Sequence, residues 1–404
     1  MLGLIPLAVA TTRCSSPGVR RRQDLAHLGS EVEFEGSWVI ARTRSRYTCS
    51  PQGRRRCRQH SAGCHGCQRY CRSSGSPGSV GVAVRVFVED WGATYGSPYL
   101  VPYDDAGTDG AVLAEDGVDL CCHPGRAYRP ADGLIAFVDG VRRGEASLWL
   151  EDARTGIGAR GVAGGHACGA VIADGITRAV FGETRVRRLA IWGSGLTGRL
   201  PVVAGGWSWE SRSIADPNPD APLKDLQIRM RQEEGRLAEA LCADGYLTVV
   251  DGPLNFVRSR DLPVVGYVKT HYRALLDPDH HRRIPELGSG ERTSLFRLGA
   301  DRYSAYLRLA PITATASPWT GIVRIEIPQS AGLADAVAVA DRIAGVLPYF
   351  AGIAHRDPRA PQNLQPIGAV EFHLRHLLGH PGLATRAVRE AVAQLAATGI
   401  EESL

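Results

Sequence analysis

The chain has 404 residues, of which 44% are hydrophobic and 22% charged, with a formal net charge of +5. That is room for one large domain or two ordinary ones, and no run of eighteen apolar residues suggests a transmembrane helix. The charge is concentrated. Residues 1–83 hold thirteen Arg and four acids, a balance of +9, so the remaining 321 residues come to −4. A global basic face of the kind that binds nucleic acid nonspecifically is therefore excluded, and any such contact has to be a local groove.

In chain order, residues 1–83 are rich in Arg, Ser, Gly and Pro, lack hydrophobic periodicity and carry six of the ten Cys. We read this stretch as a disordered or artefactual extension. Cys64 and Cys67, with Cys57, Cys71, His60 and His65 nearby, have zinc-ligand spacing but no core around them. The opening LGLIPLAVA lacks a basic n-region and is a poor signal peptide, so a cytoplasmic setting with reduced thiols is expected.

From Val84 the pattern is mixed α/β and predicts one domain over 84–404. Strands are expected at 84–90, 134–140, 146–152, 159–173 and 187–192, then at 246–250, 263–269, 303–309 and 321–327. An amphipathic helix spans 223–241 between them, and helices cover 333–347, 369–378 and 383–397. Loops rich in Pro, Asp and Gly occupy 212–222 and 277–291.

Two segments carry most of the chemistry. LIAFVDG (134–140) and YLTVVDG (246–252) are apolar runs that stop on Asp-Gly, which would place Asp139 and Asp251 at the open ends of buried strands. Neighbouring strands would bring the two carboxylates together, and a divalent cation relieves such repulsion. Asp-Gly is also a turn signal and occurs seven times here, but only Asp139, Asp251 and, less clearly, Asp174 follow a strand-like run. On the 223–241 helix, Leu223, Leu226, Met230, Leu237 and Leu241 form the apolar stripe. Glu234 falls roughly 40° from the stripe's centre and Glu233 roughly 60° away on the other side. A carboxylate so placed needs an ion pair, a hydrogen bond or a metal; Arg231 and Arg236 are close enough to pair with Glu234. Gly235 is expected to mark close packing against the sheet.

Other motifs weigh less. GSGLTG (193–198) has dinucleotide-fingerprint letters, but Pro201 follows where a helix should start. An α/β enzyme using this loop is the weakest functional reading. His280-His281 lies in the polar run DPDHHRR, without an acid or Cys to complete a metal site.

The order of these features resembles the NurA family of DNA nucleases. It runs strand–Asp139–Gly, helix with Glu234, VVDGPL with Asp251, VVGYVKTH with Lys269, GERTSLF with Arg292, two further strands and a helical end after a proline loop. The resemblance covers roughly residue 133 to the C-terminus. It implies an RNase H-like mixed β-sheet flanked by helices, with a helical C-terminal part. It also implies Mn²⁺- or Mg²⁺-dependent cleavage of DNA by a homodimer working with a HerA-type hexameric ATPase in end processing. Asp139, Glu234 and Asp251 fall on the family's metal-binding acids, seventeen residues separating the last two. Lys269 and Arg292 are expected to contact the DNA backbone, with Arg297 beside it and Phe296 between them stacking a base. Gly368 stands near the place of the family's C-terminal helix histidine, and that role falls to Glu371, His373 or His376 or to nothing. A catalytically silent module that binds DNA or a motor is therefore the alternative.

Overall fold

In the computed structural model, residues 111–129, 132–152, 156–176, 178–258, 263–271, 274–312 and 316–398 are described, with the backbone of 31–33. The chain divides into two compact units. The second, Glu35–Phe87, lies outside the described residues, as do the cysteine cluster and the strand expected at 84–90.

The elements in order are β1 (Glu31–Glu33), β2 (Cys122–Pro124), β3 (Ile135–Asp152), β4 (Ile157–Asp174), β5 (Arg178–Trp192), β6 (Glu210–Ser213) and α1 (Ala221–Ala243). Then come β7 (Leu247–Asp251), β8 (Val264–Val268), α2 (Pro278–Arg283), β9 (Glu291–Thr293), β10 (Phe296–Leu298), β11 (Arg302–Arg308) and β12 (Ile322–Pro328). Three helices close the chain: α3 (Leu333–Val346), α4 (Gln365–Leu377) and α5 (Pro381–Thr398). One mixed sheet runs β1-β5-β4-β3-β7-β8-β12-β11-β9-β2, with β6 beside β5 and β10 beside β11.

Within it, β4 is antiparallel to β3 and β5, while β3, β7 and β8 are parallel. The order β5-β4-β3-β7-β8 is that of an RNase H-like core, and α1 supplies part of the long crossover that parallel strands need. The fold class is thus the mixed α/β one expected, with a helical C-terminal part.

Side chains of successive strand residues point to opposite faces, and the two faces bury different partners. Ile135, Phe137 and Val141 share a core with Val249, Val265 and Tyr267 and with residues of α3 and α4. Ala136, Val138, Cys168 and Val250 pack instead with Leu237, Ala238 and Leu241 of α1. The stripe of α1 is buried as its spacing required, Leu226 and Leu237 completely; Leu237→Ala would cost about 2–5 kcal/mol. No helix among the described residues is long and apolar enough to cross a membrane.

Several elements differ from expectation. The strands read as 134–140 and 146–152 are one, because β3 pairs with β4 straight through Gly140–Gly144, with an irregularity only between Gly144 and Ala146. β5 begins nine residues before 187, its apolar alternation masked by Glu183, Arg185, Arg187 and Arg188. The polar run at 277–291 contains α2, started by Asp277, whose Oδ1 accepts the N–H groups of Asp279 and His280. Within α2 the His281 ring packs on Trp319 at 4.9 Å.

Candidate functional site

The parallel pairing of β3 with β7 ends at Val138 opposite Val250, so Asp139 and Asp251 are the next residues in register. Both fall on the face shared with α3 and α4, one residue beyond Val138 and Val250. Asp139 lies in the fifth position of a long strand rather than at its end; the open end belongs to β7. Of the six described Asp-Gly pairs, five place Gly at positive φ, Gly252 at 105°. Gly140 is the exception and stays in the strand. A Cβ there would lie 2.5 Å from Glu234 Oε1 and 3.0 Å from Met230 Cγ. Gly140 is therefore a gap in the α1 face of β3, into which the Glu234 carboxylate fits.

Glu234 thus approaches from the α1 face while the two aspartates project from the other. It is 2% exposed, and its Oε2 accepts from Arg231 Nη1 at 2.9 Å. The same Arg231 nitrogen donates to the Asp251 carbonyl at 2.8 Å, tying helix to strand. Glu234 Oε1 is buried without a complete hydrogen bond, the Gly140 backbone N–H being its nearest donor. Burial raises the pKa of Glu234, with Arg231 opposing and Asp251 adding to the rise. Asp139 is pushed well above the usual carboxylate range by burial, then by the neighbouring Asp251 and Glu234 charges, with Lys269 opposing. Across from Gly140 on β4, Cys168 is fully buried, its thiol pushed up to about 12 by burial and by Glu234 and Glu233.

Lys269, just past β8, donates to Asp251 Oδ2 at 2.8 Å and to Asn363 Oδ1 at 2.7 Å. Asn363 is itself buried and donates to Asp357, which with Glu371 holds Arg359, the latter at 2.7 Å. Glu371 also takes Arg375 at 3.0 Å. Burial alone would raise Glu371, but Arg359 and Arg375 hold its carboxyl below the usual value. An alternating chain of charges thus leads from Asp251 to the rim of a cleft of about 1000 Å³. Its lining carries six Lys or Arg side chains (Arg142, Arg143, Arg231, Lys269, Arg359, Arg375) against three carboxylates, Asp139, Asp251 and Glu371. The local basic groove demanded by an acidic body is present.

The remaining expectations divide. Arg292 does not belong to this site. Its side chain is fully buried, bonded to Glu115 at 2.7 and 3.0 Å and to Asp341 at 2.7 Å, so no guanidinium N–H is left to reach DNA. Phe296 is fully buried against Tyr306 and offers no face to a base; Arg297 alone of that trio is exposed. Gly235 packs closely, but on the Phe256 carbonyl, 2.2 Å from a Cβ placed there, rather than on the sheet. Glu233 is paired with Arg236 at 3.1 Å and with Arg185 at 3.5 Å. Glu371 and His376 line the cleft, whereas His373 stacks on Phe181 at 4.3 Å. Asn363 and Arg359 were missed: a Gln-Asn pair after proline reads as loop, and no periodicity marks it.

The donor set suits a hard divalent ion. It consists of carboxylate oxygens, one of them buried without a complete hydrogen bond, on groups that repel one another. Among the described residues, the group whose ligand atoms all lie within 4.8 Å of one another is instead Glu115, Asp116 and His123, and Asp139, Asp251 and Glu234 are not brought that close. The oxygens of Glu115 and Asp116 are already engaged, however, by Arg292, the Leu295 N–H and the Ser294 hydroxyl.

No family model and no curated protein matches the chain. Among solved structures it is similar to the crystal structure of the NurA nuclease from Sulfolobus solfataricus, with a TM-score of 0.37 at 10% identity, over 69% of this chain and 88% of that one.

Proposed function

We propose that the chain is a metal-dependent deoxyribonuclease with its centre at Asp139, Asp251 and Glu234. The observation that carries this is a pair of aspartates in register lining a basic-rimmed cleft, with the buried Glu234 carboxylate behind them and its Oε1 outside any complete hydrogen bond. A buried carboxylate oxygen without a complete hydrogen bond is costly, and a cation is the partner that removes the cost for all three groups together.

Asp139, Asp251 and Glu234 would hold Mn²⁺ or Mg²⁺, which when bound lowers the pKa of attacking water and neutralises charge on the phosphate and leaving oxygen. Lys269, kept in place by Asn363, brings an ammonium to a phosphate oxygen once Asp251 is engaged elsewhere. Arg231 fixes Glu234 against the end of β7. Arg142, whose Nε donates to Gln227, adds backbone charge at the rim.

The setting we propose is a cytoplasmic homodimer, with 84–404 as its nuclease domain, 1–83 as an extension and a HerA-type hexameric ATPase as motor. A specific observation favours the silent alternative: Lys269 and Arg231 already satisfy Asp251 and half of Glu234. One assay separates the two. Labelled single- and double-stranded DNA is incubated with the full chain and Mn²⁺, beside Asp139→Asn and Asp251→Asn. Cutting that both substitutions abolish supports the nuclease. No cutting by the unsubstituted chain, with and without a HerA-type ATPase, leaves a DNA- or motor-binding module.

A further inference from the structure

We infer that the exposed face of α4 formed by Phe372, Arg375 and His376 is a platform for single-stranded DNA, Phe372 taking the face of an unpaired base. The inference rests on the nuclease reading for its substrate and goes beyond it in naming the strand state and the residue that selects it.

Phe372 is 78% exposed, whereas Val370 and Leu374 of the same helix are fully buried in the core. An exposed aromatic of this size loses apolar burial with no gain in fold stability. Its position suggests what it does instead. Phe372 lines both the metal-site cleft and a second cleft of about 690 Å³, so it stands on the ridge between them. Arg375 and His376, three and four residues on, lie beside it at the spacing that makes helix-surface neighbours. Arg356 and Arg359 continue the basic lining into the second cleft.

Glu371 would repel a phosphate here, but Arg359 and Arg375 hold it as a paired carboxylate. In the Arg375–Glu371 contact the guanidinium is 67% exposed and Glu371 keeps Arg359 as a second partner, so Arg375 can turn to a phosphate. A strand passing from one cleft to the other therefore meets cation, aromatic face and cation in turn, as single-strand grooves require. A duplex keeps its bases stacked and presents no open face to Phe372, so the ridge discriminates by strand state.

The test is fluorescence anisotropy of a labelled thymidine oligonucleotide of about 20 nucleotides, and of a matched duplex, with the full chain in EDTA. Phe372→Ala should weaken single-strand binding roughly 5- to 20-fold and duplex binding less than about 2-fold, while Phe372→Trp retains it. Arg375→Ala should lower the slope of log affinity against log salt by about 0.7. Equal weakening of both substrates, or none, overturns the platform. So does a Phe372→Ala variant whose oligomeric mass changes by light scattering while its DNA affinity does not. Mn²⁺-dependent hydrolysis of bis(4-nitrophenyl) phosphate, run in parallel, keeps the two readings separate. Hydrolysis with unaltered Phe372→Ala binding removes the platform alone; Phe372-dependent binding without hydrolysis removes the nuclease alone.

Discussion

Two buried groups of arginine and carboxylate lie in this sheet, and they are finished to different degrees. Around Arg292, both oxygens of Glu115 meet N–H donors, Asp341 takes a third contact, and the Thr293 carbonyl accepts a fourth. Around Asp139 the pairing stops short: Glu234 Oε1 lacks a complete hydrogen bond, and burial with the charges of Asp251 and Glu234 raises the pKa of Asp139. A complete pairing locks a loop to a sheet. An incomplete one, beside a cleft, leaves a carboxylate oxygen for a ligand to engage.

The sharpest way to break that contrast is to remove one acid from the cleft. Asp251→Asn should lower the Mn²⁺-dependent single-turnover rate on labelled DNA by about 10³-fold or more, equivalent to roughly 4 kcal/mol in the barrier. Next comes Arg292→Ala, which strands Glu115 and Asp341 without a counter-charge. A loss of about 3–5 kcal/mol in guanidinium unfolding is expected, with metal-dependent cutting by the remaining folded protein unchanged. A defect in cutting but not in stability would mean that Arg292 belongs to the site after all.

Gly140→Ala sharpens the comparison from the backbone. The added methyl displaces Glu234, costing about 1–3 kcal/mol of stability while uncoupling the acid from the aspartates. Raised Mn²⁺ requirement in the cutting assay is the readout; an unchanged requirement would deny Glu234 its role.

The smallest effect has the opposite sign. Asp139 has a folded pKa above its unfolded value, so its stabilising contribution is complete below about pH 4 and is lost as pH rises through the raised native value. Asp139→Asn escapes that loss. In EDTA at pH 8 it should melt about 2 °C above the unsubstituted chain, the gap closing towards pH 4. Added Mn²⁺ should stabilise the unsubstituted chain and not the variant.

Much of the centre could be read from the chain because its parts are local. VVDG announces the end of β7, and the stripe of α1 places Glu234 at a buried edge. What could not be read depends on register and on pairs distant in sequence. Arg292 and Arg231 look alike as letters; only the partners of Arg292, 177 and 49 residues away, make it structural. Gly140 looks like its five turn-forming counterparts until Glu234 is seen behind it. Asn363 carries no pattern at all, since its role follows from the 94 residues that fold it back onto Lys269.

Cys168 lies behind the carboxylates, opposite Gly140 and packed against α1. A thiol near 12 is protonated throughout the physiological range, so no sulfur anion stands behind the carboxylates. Peroxide, which attacks the thiolate form, meets an unreactive neutral thiol sealed between sheet and helix. The same burial that makes Asp139 reluctant to ionise therefore keeps the Cys168 thiol out of reach of oxidants.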